Sequence, residues 1–421
     1  MATVSFLASR AAPSLQFFFA LGGGIALARS AIAFGARVGH GTAIASMLQT
    51  VAVMGPARIN APLTQAITAP MMGRLQARGA PAAVEFAACL ALRLVHYAVL
   101  LAAFIFVILG GIDEFTGSYE TLTGWLGIVP QGAAAALAVT ALGQLAWAVF
   151  FSVIQVAVYR RALGEWPEGA DEEAAAPANG SSATARQAPA NGSSKGDDRW
   201  RRDAASSPVA ERGSARFDPR AIVVAALLAS GLLLASTSWA LLLGVTAWLV
   251  PAWLLSKPDR DAVPLGLVLA GLLAFAALTG GLLSGAGLEL TLRRVLRAVL
   301  LVAVATWMRA AAGPGGLRET FRRALRRLRA LPALREAAAQ LEGLDPGPRL
   351  IAAGRAAADR FGDVPLSPVP LADAVIGWVA TESAAYDPSA RAAPAAPLRL
   401  RAPDAVLVVL TLTPAFALVG G

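Results

Sequence analysis

The chain has 421 residues, of which 56% are hydrophobic and only 15% charged, with a mean hydropathy of +0.59. A soluble domain carries about 25% charged residues, so the composition excludes an ordinary soluble fold and implies an all-α, polytopic integral membrane protein; the apolar runs are continuous, not alternating, which excludes a transmembrane barrel. The net charge of +9 is almost entirely arginine, and no stacking aromatics accompany the basic runs, so it points to membrane topology and not to nucleic acid.

Residues 14–36 are apolar but interrupted by Gly22, Gly23, Gly24 and Arg29, and 41–55 are shorter. They form two spans, or one span plus a re-entrant piece. Residues 56–81, with four prolines and Arg58, Arg74 and Arg78, read as a cytoplasmic loop with short interfacial helices. A long helix follows over 84–111. Residues 112–129 carry Asp113, Glu114 and Glu120 but no basic residue, so they lie outside. The span at 130–159 is stopped inside by Arg160 and Arg161.

Residues 162–216 are rich in Ala, Pro, Gly and Ser, and the heptapeptide APANGSS occurs at 176–182 and again at 188–194. Such a segment lacks the apolar content to offset its ordering entropy and reads as a disordered cytoplasmic linker. FDPR (217–220) then opens a second set of spans, at about 221–236, 238–255, 263–284 and 288–308, with a polar inside turn at 257–262. Arg293, Arg294 and Arg297 fall near what should be the outer end of the last of these; either they snorkel to the interface or that helix enters at a different depth. A polar region reaches about 403, and a short apolar segment, 404–421, is broken by Pro414. The expected organisation is about eight spans in two bundles: a membrane domain at 1–161, the linker at 162–216, a second membrane domain at 217–332, a polar cytoplasmic region at 333–403 and the apolar segment at 404–421.

The stretch 317–331, LRETFRRALRRLRAL, carries six arginines. Leu317, Phe321, Leu325, Leu328 and Leu331 recur at helical spacing on one face. Such a helix lies on an anionic membrane surface or docks its stripe in a partner's groove. Within the first half, Glu85, Cys89, Arg93 and His96 fall on one stripe of a membrane helix. Ionisable residues in a span face a bundle interior or cavity, so the stripe is a candidate ion or proton path or substrate contact; alternatively Glu85 and Arg93 sit at the cytoplasmic interface with only His96 deeper. Arg29 binds an anionic group or marks the end of its span. Cys89 is the sole cysteine and His40 and His96 the only histidines, which argues against a metal site. No P-loop, HExxH, CxxC or nucleophile elbow is present, so the chain is not expected to be an enzyme or to hold a cofactor. The arginine-for-lysine bias with abundant alanine suggests a GC-rich bacterial genome.

FDPR, the alternating spans behind it and the segment 287–332 together resemble the transmembrane T component of energy-coupling-factor (ECF) transporters, the ABC-type importers of vitamins and metal ions. The resemblance covers about 217–332. Gly354-Arg355-Ala356 stands where that family carries an Ala-Arg-Gly docking motif, while Gln76-Ala77-Arg78-Gly79 in the first half matches that motif more closely. Residues 333–360 are more polar than the family's next span. The resemblance implies a transport subunit in the bacterial cell membrane, with its linker and basic helix cytoplasmic. Leu317, Phe321, Leu325 and Leu328 would seat in ATP-binding subunits, Arg322, Arg326 and Arg329 would pair with carboxylates there, and Arg355 would dock. ATP would be bound by those partners, and the solute by a substrate-binding membrane subunit. The alternative is a non-catalytic membrane scaffold that recruits partners through its linker and basic helix.

Overall fold

A computed structural model describes residues 1–55, 60–109, 111–124, 127, 132–164, 166, 217–256, 263–283, 285, 287–328, 330–343, 347–361, 367–384 and 400–416. The linker and Arg329 lie outside the described residues, save 162–164 and Trp166 at the linker's start. All regular structure among the described residues is helical. The first half comprises α1 (Ala2–Ala11), α2 (Gln16–Phe34), α3 (Ala36–Met54), α4 (Asn60–Ala77), α5 (Ala82–Ala103), α6 (Ile112–Gly124) and α7 (Gly132–Gly164). After the linker come α8 (Pro219–Ala235), α9 (Trp239–Ser256), α10 (Val263–Leu283), α11 (Leu288–Arg327), α12 (Pro332–Gly343), α13 (Gly347–Arg360), α14 (Pro368–Ala384) and α15 (Ala402–Thr411).

Among the described residues six helices are long and apolar enough to cross a membrane: α2, α5, α7, α9, α10 and α11. Two shorter apolar helices, 219–235 and 402–415, stand beside them. The protein is therefore an all-α polytopic membrane protein. Its outward surface agrees: Val95 and Val99 on α5, Phe106 in the turn that continues it, Leu142, Trp147 and Phe150 on α7, and Leu267, Leu272 and Phe275 on α10 are all exposed. An apolar belt of this extent is satisfied by lipid.

Each half has its own apolar core. Leu21, Ile25 and Leu27 of α2 pack with Met72 of α4, Cys89 of α5 and Tyr159 of α7. In the second half Ile222, Leu233, Leu241, Leu242 and Trp307 form the centre. Trp307 is fully buried, and its indole N–H donates to the Ala252 carbonyl at 3.2 Å and to Ser256 Oγ at 3.1 Å.

The glycine triplet of α2 explains how that helix accepts neighbours on several sides. A Cβ on Gly22 would meet Val375 of α14, one on Gly23 would meet Phe6 of α1, and one on Gly24 would lie 1.7 Å from the Tyr159 hydroxyl of α7. Close approach of this kind is the use of small residues in membrane bundles.

Three expectations change on contact with the structure. Residues 60–77 form the continuous helix α4, packed against α2, where the sequence reads as a loop. Pro70 lies inside α4, and Gly73 lets its backbone approach the Ala28 carbonyl closely, so apolar packing outweighs the proline penalty. The segment 41–55 belongs to α3, which is not among the six apolar helices and packs on α12. Within the polar 333–403 region, α13 packs on α1 and α14 on α2, through Phe361, Val375, Trp378 and Val379.

Candidate functional site

Two polar assemblies stand out, one inside the first bundle and one where the second bundle leaves the membrane. The first is a seam between α4, α5 and α7. All four residues of the predicted α5 stripe point inward: Glu85, Cys89, Arg93 and His96 are buried. Arg93 donates to Gln155 Oε1, and Gln155 Nε2 donates to Thr68 Oγ1 at 2.8 Å. The Cys89 thiol lies 3.5 Å from the same Gln155 oxygen. Tyr159 donates to Gln65 Oε1 at 2.7 Å, in the space that Gly24 leaves open. Arg160 pairs with Glu85 at 3.3 Å. The guanidinium of Arg93 also lies 5.9 Å from the Phe151 ring centre and 3.5 Å from the Tyr97 hydroxyl.

The eight steps from Glu85 to Arg93 rise about 12 Å along the helix. Glu85 therefore sits near the arginine-rich face with Arg160, and Arg93 lies near the middle of the span. No carboxylate pairs with Arg93 among the described residues. Arg29 lies 5.4 Å from the Trp166 ring centre, outside the seam. Gln155, Tyr159, Thr68 and Gln65 are the members that sequence reasoning missed. Ser152, Gln155 and Tyr159 recur at i, i+3 and i+7 in an apolar run, and the periodicity that picks out the α5 stripe picks them out as well. Among the described residues no group of three His, Cys, Asp or Glu side chains could hold a metal ion.

The second assembly is the basic helix. α11 kinks at Gly313, whose φ of 67° is left-handed, followed by Pro314. Past the kink the stripe turns inward onto the chain itself. Leu317 and Leu325 are buried. Phe321 and Leu325 pack with Ile44, Ala45 and Leu48 of α3 and with Leu334, Ala337, Ala338 and Leu341 of α12. Leu328 and Leu331 lie beyond the end of the helix and are 56% and 60% exposed. The arginines form a second layer: Arg322 holds Glu319 through two bonds of 2.8 and 2.7 Å, Arg323 reaches the same carboxylate at 2.7 Å, and Arg326 pairs with Glu342 at 2.8 Å. Arg327 is exposed, as is Arg355 on α13, which is thus not gathered into this layer.

FDPR sits against this junction. Asp218 caps α8, accepting from the Arg220 amide at 2.9 Å, and its carboxylate takes two further bonds from the Arg220 guanidinium. A Cβ on Gly316 would meet Pro219. Burial pushes the Asp218 carboxyl up, but the Arg220 bonds and the charge of Arg323 outweigh it and hold it below the usual carboxylate value. A carboxyl lowered on folding stabilises the protein fully above its unfolded pKa, about 3.9, and loses that contribution as pH falls through the folded value. Asn caps a helix as well as Asp, so Asp218→Asn removes only the charge facing Arg220; it is expected to reduce thermal stability at neutral pH by about 1 kcal/mol, the upper end for an ion pair within reach of solvent, with the difference from wild type shrinking as pH falls below 4. A constant difference across that range counts against the ion pair.

On the opposite face, the three arginines near the start of α11 are engaged. Arg293 pairs with Glu289, Arg294 with Glu114 at 2.6 Å, and Arg297 donates to the Val107 carbonyl. The last of these is reached where α5 continues as a π-helix, Phe104–Leu109, a geometry that loosens the regular ladder.

Compared with known proteins, the chain matches no family model, no curated protein and no solved structure.

Proposed function

We propose that the chain is the membrane subunit of an ABC-type, ECF-like importer in a bacterial cell membrane, coupling cytoplasmic ATP-binding subunits to the uptake of a small solute such as a vitamin or metal ion. One observation carries this reading: the basic helix is continuous with the α11 span yet clamped by α3 and α12. A push on that helix is delivered to both halves at once, because Arg309 of α11 also donates to the Val53 carbonyl of α3 at 2.9 Å. The outward arginine edge, Arg323, Arg326 and Arg327, with Leu328 and Leu331 beside it, is the surface that would meet the ATPases. The inner stripe holds the helix to its own chain.

The test is capture of ATP-binding subunits by the tagged full-length chain. The double variant Arg326→Glu/Arg327→Glu is expected to weaken capture and uptake by about tenfold, equivalent to ~1.4 kcal/mol, with little change in stability, since exposed ion pairs contribute little. Failure to bring down any ATPase, or uptake indifferent to both reversals, sinks the reading. A second reading, a scaffold recruiting partners, is favoured by the stripe being filled from within the chain. Deleting 165–212 separates the two: a transporter keeps its uptake, whereas a scaffold loses its partners.

A further inference from the structure

The face opposite the basic helix holds a cluster that coupling does not use. Arg294 and Arg297 lie one turn apart on α11 and are only 4% and 5% exposed. Among the described residues a single carboxylate pairs with them, that of Glu114 on α6, at 2.6 Å from Arg294. The other acids nearby are committed or turned away. Glu289 is held by Arg293 and by the Trp239 indole, Glu120 accepts the Gly132 amide, and Asp113 is exposed. Among the described residues Arg297 meets only the neutral Val107 carbonyl, and Arg294 Nε finds no hydrogen-bond partner there. Two buried cations thus share one acid. Like charges a turn apart on a helix repel, and a buried guanidinium without an anion is costly.

The single acid sits on a short helix over the ends of the spans. α6 packs Phe115 and Tyr119 against Ile105, Leu109, Ala136 and Leu137 and makes two side-chain bonds to α10: Ser118 to the Gly280 carbonyl at 2.9 Å and Thr121 to the Leu283 carbonyl at 2.6 Å. We propose that Arg294 and Arg297 form a binding site for the carboxylate of a small organic anion, and that Glu114 is its built-in stand-in, displaced when the solute arrives. The planar fork of arginine matches a carboxylate through paired N–H donors. A solute carboxylate in place of Glu114 would take Arg294 with its free Nε–H and reach Arg297 one turn away. The site requires no ATPase and stands apart from the coupling reading.

The test uses the full chain in neutral phosphatidylcholine nanodiscs, with sodium acetate as the probe and sodium chloride at equal ionic strength as the control. Glu114→Ala empties the stand-in position. It is expected to lower the melting temperature, and acetate, but not chloride, is expected to restore it saturably. Wild type should respond less, because Glu114 competes. The double variant Glu114→Ala/Arg294→Gln should not respond at all. Equal responses to acetate and chloride, or an acetate effect that survives Arg294→Gln, overturns the site. So does an acetate response abolished by phosphatidylglycerol in the disc, which makes a lipid phosphate the occupant. A second measurement needs no variant: acetate should slow phenylglyoxal labelling of Arg294 and Arg297 in wild type, read by mass spectrometry, and unchanged labelling overturns the proposal.

Discussion

Gln155→Leu is expected to cost about 1.5–3 kcal/mol, the range for a hydrogen bond to a charged group. Arg93 is 3% exposed near the middle of α5, and Gln155 is its closest acceptor. What remains after the substitution is a hydroxyl at 3.5 Å and the face of Phe151. Glu85 cannot substitute, being two turns away and held by Arg160. Thr68 loses a donor as well. The double variant Arg93→Met/Gln155→Leu is expected to recover most of the loss, because replacing both partners by apolar groups is often nearly neutral. Unfolding of the four proteins of this cycle in detergent gives the coupling directly. A double variant as unstable as Gln155→Leu alone assigns the loss to packing and not to the stranded charge.

The basic helix gives the second large effect, and it should divide along the stripe. Leu317→Ala and Leu325→Ala each remove a side chain buried within the chain and are expected to cost about 2–5 kcal/mol. Leu328→Ala and Leu331→Ala remove exposed side chains and should stay within about 0.5 kcal/mol. Thermal unfolding of the four single variants tests the division. Four similar losses would falsify the inward seating of the stripe, Leu325 on α3 and α12 and Leu317 in the core of the second bundle. The same set bears on coupling: Leu325→Ala loosens the helix from the first half, so uptake should fall together with stability, while Leu328→Ala should affect partner capture alone.

The spans were legible because lipid demands long, continuous apolar runs, and residues 84–111, 130–159 and 263–284 show them without ambiguity. α4 was not, because Pro62, Pro70, Arg74 and Arg78 carry the local signals of a loop, and what makes it helical is the close fit of Gly73 on Ala28 in another helix. The stripe of the basic helix was visible from its spacing, but its seat was not: Ala45 lies far back in the chain, and no local pattern pairs it with Leu325. The α5 stripe likewise showed which face turns inward. It could not show that Gln155 supplies the central acceptor, since a neutral amide in an apolar run gives a weaker signal than a charge. The arginines at 293–297 looked misplaced for the same reason, their partners being a carbonyl opened by a π-helical turn and an acid on another helix.

The carboxylate of Asp404 joins two places that are made at different times. Its Oδ1 accepts the backbone amide of Asp218 at 2.6 Å and its Oδ2 that of Arg401, also at 2.6 Å, and it is buried. The two partners Asp218 and Asp404 are 186 residues apart, which at ribosomal speeds of roughly 5–20 residues per second means a delay of about 10–40 s. Throughout that interval α8 exists without the acid that completes its entry, and its amide must rely on water. The second bundle therefore closes only after its last helix has emerged, so a nascent chain arrested before residue 404 carries all of α8 to α11 and still has an open seam along α8.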